Sequence, residues 1–214
     1  MRGYRVVLTA HNAAELARTA DPLRAQHGDR GDWIAADLST PAQAQMLVPN
    51  VEQRFGALDA LTNNARVGAC KPMVDWTPQE AIDCMNLNLL APMLLSQAGM
   101  PGMVSRRRCI IVDIAPDLAR RPLANMAPYA ATKCGLLGFS GSRPREAKAH
   151  GVKVGTVLPG IIDSAFNGAQ EGSSKDAAWA LRAKVLAAQV IALLALPKYV
   201  LIDELTILPL HQDF

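Results

Sequence analysis

The stretch Tyr129-Ala130-Ala131-Thr132-Lys133 is the most informative part of this sequence. A tyrosine and a lysine four residues apart on a helix project from the same face, one turn apart. An ammonium group beside a phenol favours the phenolate, so we expect the pKa of Tyr129 to fall from its reference value of about 10. The pair would then serve as a general acid and base. Taken alone, the five residues fit an exposed helix with an accidental pair better, so their meaning depends on the rest of the chain.

The composition is that of an ordinary globular protein. Of the 214 residues, 50% are hydrophobic and 19% are charged, and we expect one domain spanning residues 1–214. The net charge of +3 is too small to indicate nucleic acid or an anionic membrane as a partner. The most apolar run, residues 185–196, is shorter than the roughly 20 residues that span a bilayer. With no signal peptide at its start, the chain is predicted to be cytoplasmic.

The cysteines predict neither a metal site nor a disulfide framework. They are widely spaced, with no CxxC pair and no neighbouring histidine cluster. Reduced thiols are the simplest interpretation. The four are Cys70, Cys84, Cys109 and Cys134.

Predicted strands alternate with predicted helices along the whole chain. The strands are expected at 4–9, 33–37, 58–62, 109–114, 152–158 and 204–208. Capping signals at Asn12, Thr40 and Thr77 open the helices that follow. This alternation predicts an α/β fold with a doubly wound parallel sheet. Residues 168–175 are small and polar and are the one candidate for a mobile lid.

Polar residues follow several of the predicted strands. They are Asp37, Asn63, Asn64, Asp113, Asp117 and, after the Pro159-Gly160 break, Ser164. Ligands of open parallel sheets bind beyond the carboxyl ends of the strands. A single such residue usually reflects turn chemistry. Several of them, together with the Tyr129 helix, indicate one cleft.

These residues resemble the short-chain dehydrogenase/reductase family over nearly the whole chain. The matching marks, in order, are Asp37-Leu38, Asn63-Asn64-Ala65, Asn88-Leu89, Tyr129-x-x-x-Lys133, and Pro159-Gly160 with Ser164. The resemblance implies a Rossmann-like fold and hydride transfer between a nicotinamide cofactor and a carbonyl or secondary alcohol. It implies that Tyr129 is the acid/base, that Lys133 lowers the pKa of Tyr129 and binds the ribose, and that Asn88 positions a water that relays the proton.

The resemblance also implies a binding site for the cofactor. That site would comprise His11, Asp37, Leu38, Asn63, Ala65, Tyr129, Lys133, Pro159, Gly160, Ile162 and Ser164. At the end of the first strand, Ala10-His11 offers no carboxylate to repel a 2′-phosphate, which favours NADP over NAD. A single histidine there equally fits a solvated loop.

The chain departs from the family pattern at its start. The family opens with a strand and a glycine-rich turn that holds the pyrophosphate, and nothing before Tyr4 supplies either. The missing strand would lie between those ending at Thr9 and Thr62, leaving backbone groups unpaired at about 1–3 kcal/mol each. The two strands must close up, or another segment or chain must fill the gap, or the sequence begins too late within a longer protein. We expect the last of these.

Two substitutions bear on activity. The family places a serine thirteen residues before the tyrosine, where this chain has Pro116, which has no hydroxyl or amide proton. Losing such a donor typically costs ~10²–10³ in rate. Arg66 stands where the family has glycine, where it either crowds the cofactor or adds a phosphate contact.

Two functions therefore stay open. One is an NAD(P)-dependent oxidoreductase acting on a small-molecule carbonyl or alcohol. The other is a catalytically impaired or inactive member that acts as a binding or assembly module, or an incomplete gene product. The resemblance also implies a homodimer or homotetramer formed through the helices that contain Asn88 and Tyr129.

Overall fold

The computed structural model describes residues 3–164 and 179–212, in which strands and helices alternate. The strands are β1 (Val6–Ala10), β2 (Gly31–Ala35), β3 (Ala60–Asn63), β4 (Ile110–Ile114), β5 (Lys153–Pro159), β6 (Ile162–Asp163), β7 (Leu181–Arg182) and β8 (Glu204–Ile207). The helices are α1 (Ala13–His27), α2 (Pro41–Phe55), α3 (Pro78–Met85), α4 (Ala91–Arg106), α5 (Ala127–Ala147) and α6 (Ala183–Leu194). The predicted lid at 168–175 lies outside the described residues.

The strands form parallel sheets, as the sequence predicts. One sheet has the order β3-β4-β5-β8, a second consists of β1 and β2, and β6 pairs with β7. Every pairing among the described strands is parallel, and helices lie between the paired strands of the two larger sheets along the chain. The α/β Rossmann-like prediction is confirmed.

The central strand β4 is buried along its whole length because helices cover both faces of its sheet. Ile111 packs in a cluster with Met103 of α4 and Ala147 of α5. Its neighbours Ile110 and Val112 pack instead with Leu193 of α6. Successive side chains of a strand point to opposite faces, so one apolar run serves two layers.

Of the predicted helix caps, the one at Thr77 forms and the one at Thr40 does not. Thr77 and Glu80 form the expected reciprocal box at the start of α3, with Glu80 Oε2 accepting from Thr77 N at 2.8 Å. Thr40 makes no side-chain capping bond at the start of α2. Gln43 Oε1 instead accepts from the backbone N–H of Asp37 at 2.9 Å. The turn between β2 and α2 is therefore held at Asp37, and the prediction of a Thr40 side-chain cap was wrong.

A wide cleft separates the two larger sheets. Among the described residues, β1 pairs only with β2 and β3 pairs only with β4. The cleft between β1 and β3 has a volume of about 1400 Å³. Helices α2 and α4 line it with apolar residues, including Val48 and Leu95. The two strands expected to flank the missing one do not close up.

No helix in residues 3–164 and 179–212 is both long and apolar enough to cross a membrane.

Candidate functional site

Helix α5 places Tyr129 and Lys133 side by side, as their spacing predicts. The helix begins at Ala127, and Pro128 is in its first turn, where its missing N–H leaves no hydrogen bond unmade. Both side chains are buried, with exposed fractions of 4% for Tyr129 and 2% for Lys133. The Lys133 Nζ lies 5.8 Å from the centroid of the Tyr129 ring. The helix therefore presents a phenol and an ammonium together in a site shielded from water.

The electrostatics of the pair differ from the sequence-based expectation. Burial raises the pKa of Tyr129 to about 12, and the positive charge of Arg66 opposes this only in part. Burial, with repulsion from Arg66, lowers the pKa of Lys133 to about 8. A poorly solvated site disfavours the charged form of both groups. The expected fall in the pKa of Tyr129 was therefore wrong for the site without cofactor.

Asn88 lies in a short π-helical segment, Asn86–Leu90, that separates α3 from α4. The sequence suggested one continuous helix here. The side chain of Asn88 is fully buried and forms two hydrogen bonds with the backbone of Val67. Its Oδ1 accepts from Val67 N at 2.9 Å, and its Nδ2 donates to Val67 O at 2.7 Å. It also donates to Thr132 Oγ1 on α5 at 3.1 Å. Since a carbonyl oxygen has two lone pairs, Asn88 Oδ1 can still accept from one water.

A buried polar network, centred on Asp113 at the end of β4, ties α5 to the sheet. Asp113 accepts hydrogen bonds from Asn63 Nδ2 at 2.7 Å and from Ser140 Oγ at 2.6 Å. It also forms a buried ion pair with Arg143, which in turn donates to Ser96 Oγ on α4 at 2.7 Å. Burial lowers the pKa of Arg143 to about 10. The network fixes the helix that carries Tyr129 against the two strands whose ends it joins.

Arg143 and Ser140 were not predicted as site residues from the sequence. The spacing of residues along the predicted helix could have indicated both. The buried residues of α5 recur at intervals of three or four, and both polar residues fall on that stripe. The stripe comprises Tyr129, Lys133, Leu136, Ser140, Arg143 and Ala147.

The residues predicted to contact adenine surround the turn after β2. Asp37 accepts from Ser39 N at 3.0 Å and from Ser39 Oγ at 2.7 Å. These hydrogen bonds, with a smaller contribution from His11, lower the pKa of Asp37. Leu38 is buried in the core cluster with α2 and α4 while still lining the cleft. Asp37 is thus an ionised acceptor and Leu38 mainly a packing residue.

The Pro159-Gly160 turn packs against the end of the described chain. A Cβ added to Gly160 would collide with Gln212 Oε1. Gln212 Oε1 accepts from Ile161 N at 2.7 Å, a contact that the sequence analysis did not anticipate. Ile162 pairs with Leu181 in the small β6-β7 sheet. A side chain at position 160 would have to displace Gln212 and would also meet the ring of Pro209, whose Cδ lies 2.7 Å from the added Cβ.

Arg66 connects the cleft to the Tyr129 helix. Its guanidinium donates to Ser164 Oγ at 3.2 Å and lines the cleft. Its charge lowers the pKa of both Tyr129 and Lys133. Arg66 therefore brings positive charge to the lining of the cleft.

The cleft brings together about half of the predicted cofactor residues. Those that line it are His11, Asp37, Leu38, Asn63, Ala65 and Ser164. Those outside its lining are Tyr129, Lys133, Pro159, Gly160 and Ile162. Asn63 lines the cleft, and its buried Oδ1 accepts no hydrogen bond within the described part of the chain. Of the residues that line the cleft, Arg66 offers a cation to an anionic dinucleotide, and the Asp37 carboxylate offers an acceptor to its hydrogen-bond donors.

The position thirteen residues before Tyr129 holds Pro116, whose carbonyl accepts from Ala119 N at 2.7 Å in a short 3₁₀ turn. The next residue, Asp117, is buried and lies 3.6 Å from Arg121 in an ion pair. An ionised carboxylate only accepts hydrogen bonds. Neither residue provides a donor equivalent to a serine hydroxyl.

Within residues 3–164 and 179–212, no group of three His, Cys, Asp or Glu side chains could hold a metal ion.

The chain is similar to known proteins in both sequence and structure. Residues 1–174 match the family model described as short chain dehydrogenase. The 3-oxoacyl-(acyl-carrier-protein) reductase FabG of Vibrio cholerae is 31% identical over 163 residues, which are 76% of this chain and 65% of that protein. The match therefore spans less than two thirds of this relative.

Two solved structures are also similar. An alcohol dehydrogenase of the archaeon Thermococcus sibiricus, complexed with 5-hydroxy-NADP, has a TM-score of 0.90 at 24% identity, covering 99% of this chain and 88% of its own. At that identity the likeness shows the fold. A metagenomic short-chain oxidoreductase in complex with NADP is 29% identical, with a TM-score of 0.82 and coverages of 97% and 86%.

Proposed function

The chain belongs to the short-chain dehydrogenase family, and we propose that it is an NAD(P)-dependent oxidoreductase that transfers hydride between nicotinamide and a carbonyl compound or secondary alcohol. The observation that carries this proposal is the buried pair of Tyr129 and Lys133, with Nζ 5.8 Å from the ring centroid. Two neighbouring ionisable groups with pKa values strongly shifted by burial are typical of a catalytic site.

Tyr129 is the group that donates or accepts the proton in this reaction. Its pKa of about 12 keeps the phenol protonated at neutral pH. A neutral phenol can donate its proton to a carbonyl oxygen as that oxygen gains negative charge, which suits the direction of reduction. Oxidation needs the phenolate, and cationic charge from Arg66 and Lys133 lowers the cost of forming it. Asn88 holds the loop at Val67 against α5 and offers one lone pair to a relay water.

The cofactor would lie along the carboxyl ends of the strands. Asp37 and Ala65 would contact the adenosine half, and Lys133, Gly160 and Ser164 the nicotinamide half. When bound, the cofactor supplies or accepts the hydride. NADP is favoured over NAD because Ala10-His11 presents no carboxylate to a 2′-phosphate. The NADP in the similar metagenomic oxidoreductase supports the same choice.

Because Pro116 stands where the family has a serine, we expect any enzyme activity to be slow. Without the serine hydroxyl, a donor that would polarise the carbonyl is lost, at a typical cost of ~10²–10³ in rate. This loss favours the second candidate function, an impaired or inactive member that acts as a binding or assembly module. Helices α4 and α5 are the surfaces through which a homodimer or homotetramer would form.

The first experiment is to titrate the purified 214-residue chain with NADPH and NADH, using calorimetry or nicotinamide fluorescence. Micromolar binding, tighter for NADPH, is the expected result and justifies a screen of carbonyl substrates. Turnover should then be abolished in Tyr129→Phe and raised in Pro116→Ser. A folded sample that binds neither cofactor contradicts the oxidoreductase proposal for this chain and leaves the binding module.

A further inference from the structure

The side chain of Arg66 extends across the carboxyl end of the larger sheet. Arg66 follows β3, and its Nη2 donates to the Oγ of Ser164, which follows β6, at 3.2 Å. Strand β5 ends at Pro159 and β6 begins at Ile162, so Ser164 belongs to the segment just beyond β5. In the sheet, β4 lies between β3 and β5. The arginine therefore bridges two loops over the end of the central strand.

The backbone that carries Arg66 is held against helix α5. The next residue, Val67, forms two backbone hydrogen bonds with the side chain of Asn88, at 2.9 Å and 2.7 Å. Asn88 in turn donates to Thr132 Oγ1 on α5 at 3.1 Å. Arg66 itself is half-buried. Its guanidinium is thus tethered at both ends, by its own backbone and by Ser164, beside the helix that carries the acid/base pair.

The charge of Arg66 acts on both members of that pair. It lowers the pKa of Tyr129 and the pKa of Lys133. Two cations therefore repel each other in a site where burial already disfavours the charged form of Lys133. Coulomb interactions in such a poorly solvated site are several times stronger than in bulk water. A compact anion beside both cations would relieve their repulsion.

We propose that Arg66 binds a carboxylate of the substrate, so that the compounds oxidised or reduced are short hydroxy acids and oxo acids. The inference rests on the proposed oxidoreductase function and adds the substrate class. A guanidinium has five N–H donors in a planar fork, and the bond to Ser164 uses one of them. A carboxylate accepts two parallel hydrogen bonds from such a fork, which fixes the orientation of the bound molecule. Its hydroxyl or carbonyl, a few atoms away, is then directed toward Tyr129.

The position of Arg66 favours a substrate carboxylate over a cofactor phosphate. Its partner Ser164 is one of the residues that would contact the nicotinamide half, whereas Asp37 would contact the adenosine half. Its charge acts on Tyr129 and Lys133, the groups that handle the proton at the reacting carbon. The phosphates of the cofactor lie away from that carbon, whereas the carboxylate of a short hydroxy acid lies close to it.

Calorimetric titration of the full chain at neutral pH tests the proposal. The probe is 3-hydroxybutyrate, and its methyl ester is the neutral control ligand. Arg66→Gln removes the cation, and Arg66→Lys keeps the charge but loses the planar fork. The matched control is Arg182→Gln, because the guanidinium of Arg182 belongs to the same group of loops but pairs with Asp163 at 2.8 Å. NADPH is titrated into each variant as well.

We expect the unaltered chain to bind the acid about tenfold more tightly than the ester, as a hydrogen-bonded charge pair provides. This preference should vanish in Arg66→Gln, weaken in Arg66→Lys and persist in Arg182→Gln. Equal affinities for acid and ester, or a preference that survives Arg66→Gln, would overturn the proposal. So would an Arg66→Gln variant that loses NADPH binding but still prefers the acid, since the cation would then serve a cofactor phosphate.

The titration separates this inference from the oxidoreductase proposal because it needs no turnover. A chain that binds NADPH but shows no preference for the acid contradicts the carboxylate site alone. A chain that prefers the acid through Arg66 but binds neither NADPH nor NADH keeps the carboxylate site and contradicts the oxidoreductase proposal.

Discussion

Removing Arg143 should destabilise the protein far more than removing a comparable arginine at the surface. The Asp113 carboxylate is fully buried, and Arg143 is its only cationic partner among the described residues. Arg143→Met keeps most of the side-chain volume but leaves the carboxylate with hydrogen bonds from Asn63 and Ser140 alone. Breaking a buried pair by deleting one partner typically costs about 3–5 kcal/mol.

The matched control is Arg120→Met. Arg120 forms an ion pair with Glu204 in which both side chains are about 40% exposed. Pairs exposed to this extent contribute roughly 0–1 kcal/mol. The two substitutions are chemically identical, so their difference isolates the effect of burial.

Urea denaturation at neutral pH measures both changes, provided that the dependence on urea concentration is the same in all variants. A double variant, Arg143→Met with Asp113→Asn, removes the buried charge as well and should recover a large part of the loss. A cost for Arg143→Met no greater than that for Arg120→Met, or a double variant as unstable as the sum of the single ones, would refute the reasoning.

Two further predictions concern burial at α5 and at the turn after β5. Because the pKa of Lys133 is lowered to about 8 in the folded state, the unfolded chain binds more protons at this group between pH 8 and about 10, so the contribution of Lys133 to stability should rise over that range. Burial raises the pKa of Cys84, whose contribution falls as pH rises, so the rise is read as the difference in thermal melts between the protein and Lys133→Met. Arg66→Gln should move this rise to higher pH. Gly160→Ala should destabilise the fold by about 1–3 kcal/mol in urea denaturation, because its Cβ would meet Gln212, and Gln212→Ala should restore part of the loss. Gly138→Ala, in α5 with nothing within 4 Å of the added Cβ, should stabilise instead, and a loss there equal to that at Gly160 would contradict the steric argument.

Several features of the fold could be predicted because they depend on local patterns. The apolar runs around Ile111 and Val154 indicated inner parallel strands, and the strand ends were misplaced by only one or two residues. The Thr77 box follows from two residues three positions apart. Helical spacing was enough to place Tyr129 and Lys133 on one face.

Other features depend on which groups meet in space and on how much water they exclude. Spacing places a phenol beside an ammonium, but the depth of burial decides that the pKa of Tyr129 rises to about 12. Asp113 and Arg143 are thirty positions apart, and no local signal pairs them. Gln212 fills the space beside Gly160 only because the chain returns there.

The sequence by itself determined the alternation of strands and helices, the family and the pairing of Tyr129 with Lys133, because each rests on hydrophobic period or short spacing. The tertiary structure alone decided the protonation of that pair, the Asp113 network and the open cleft between β1 and β3. Desolvation and hydrogen-bond partnership are properties of the packed chain, since they depend on every element that surrounds a group.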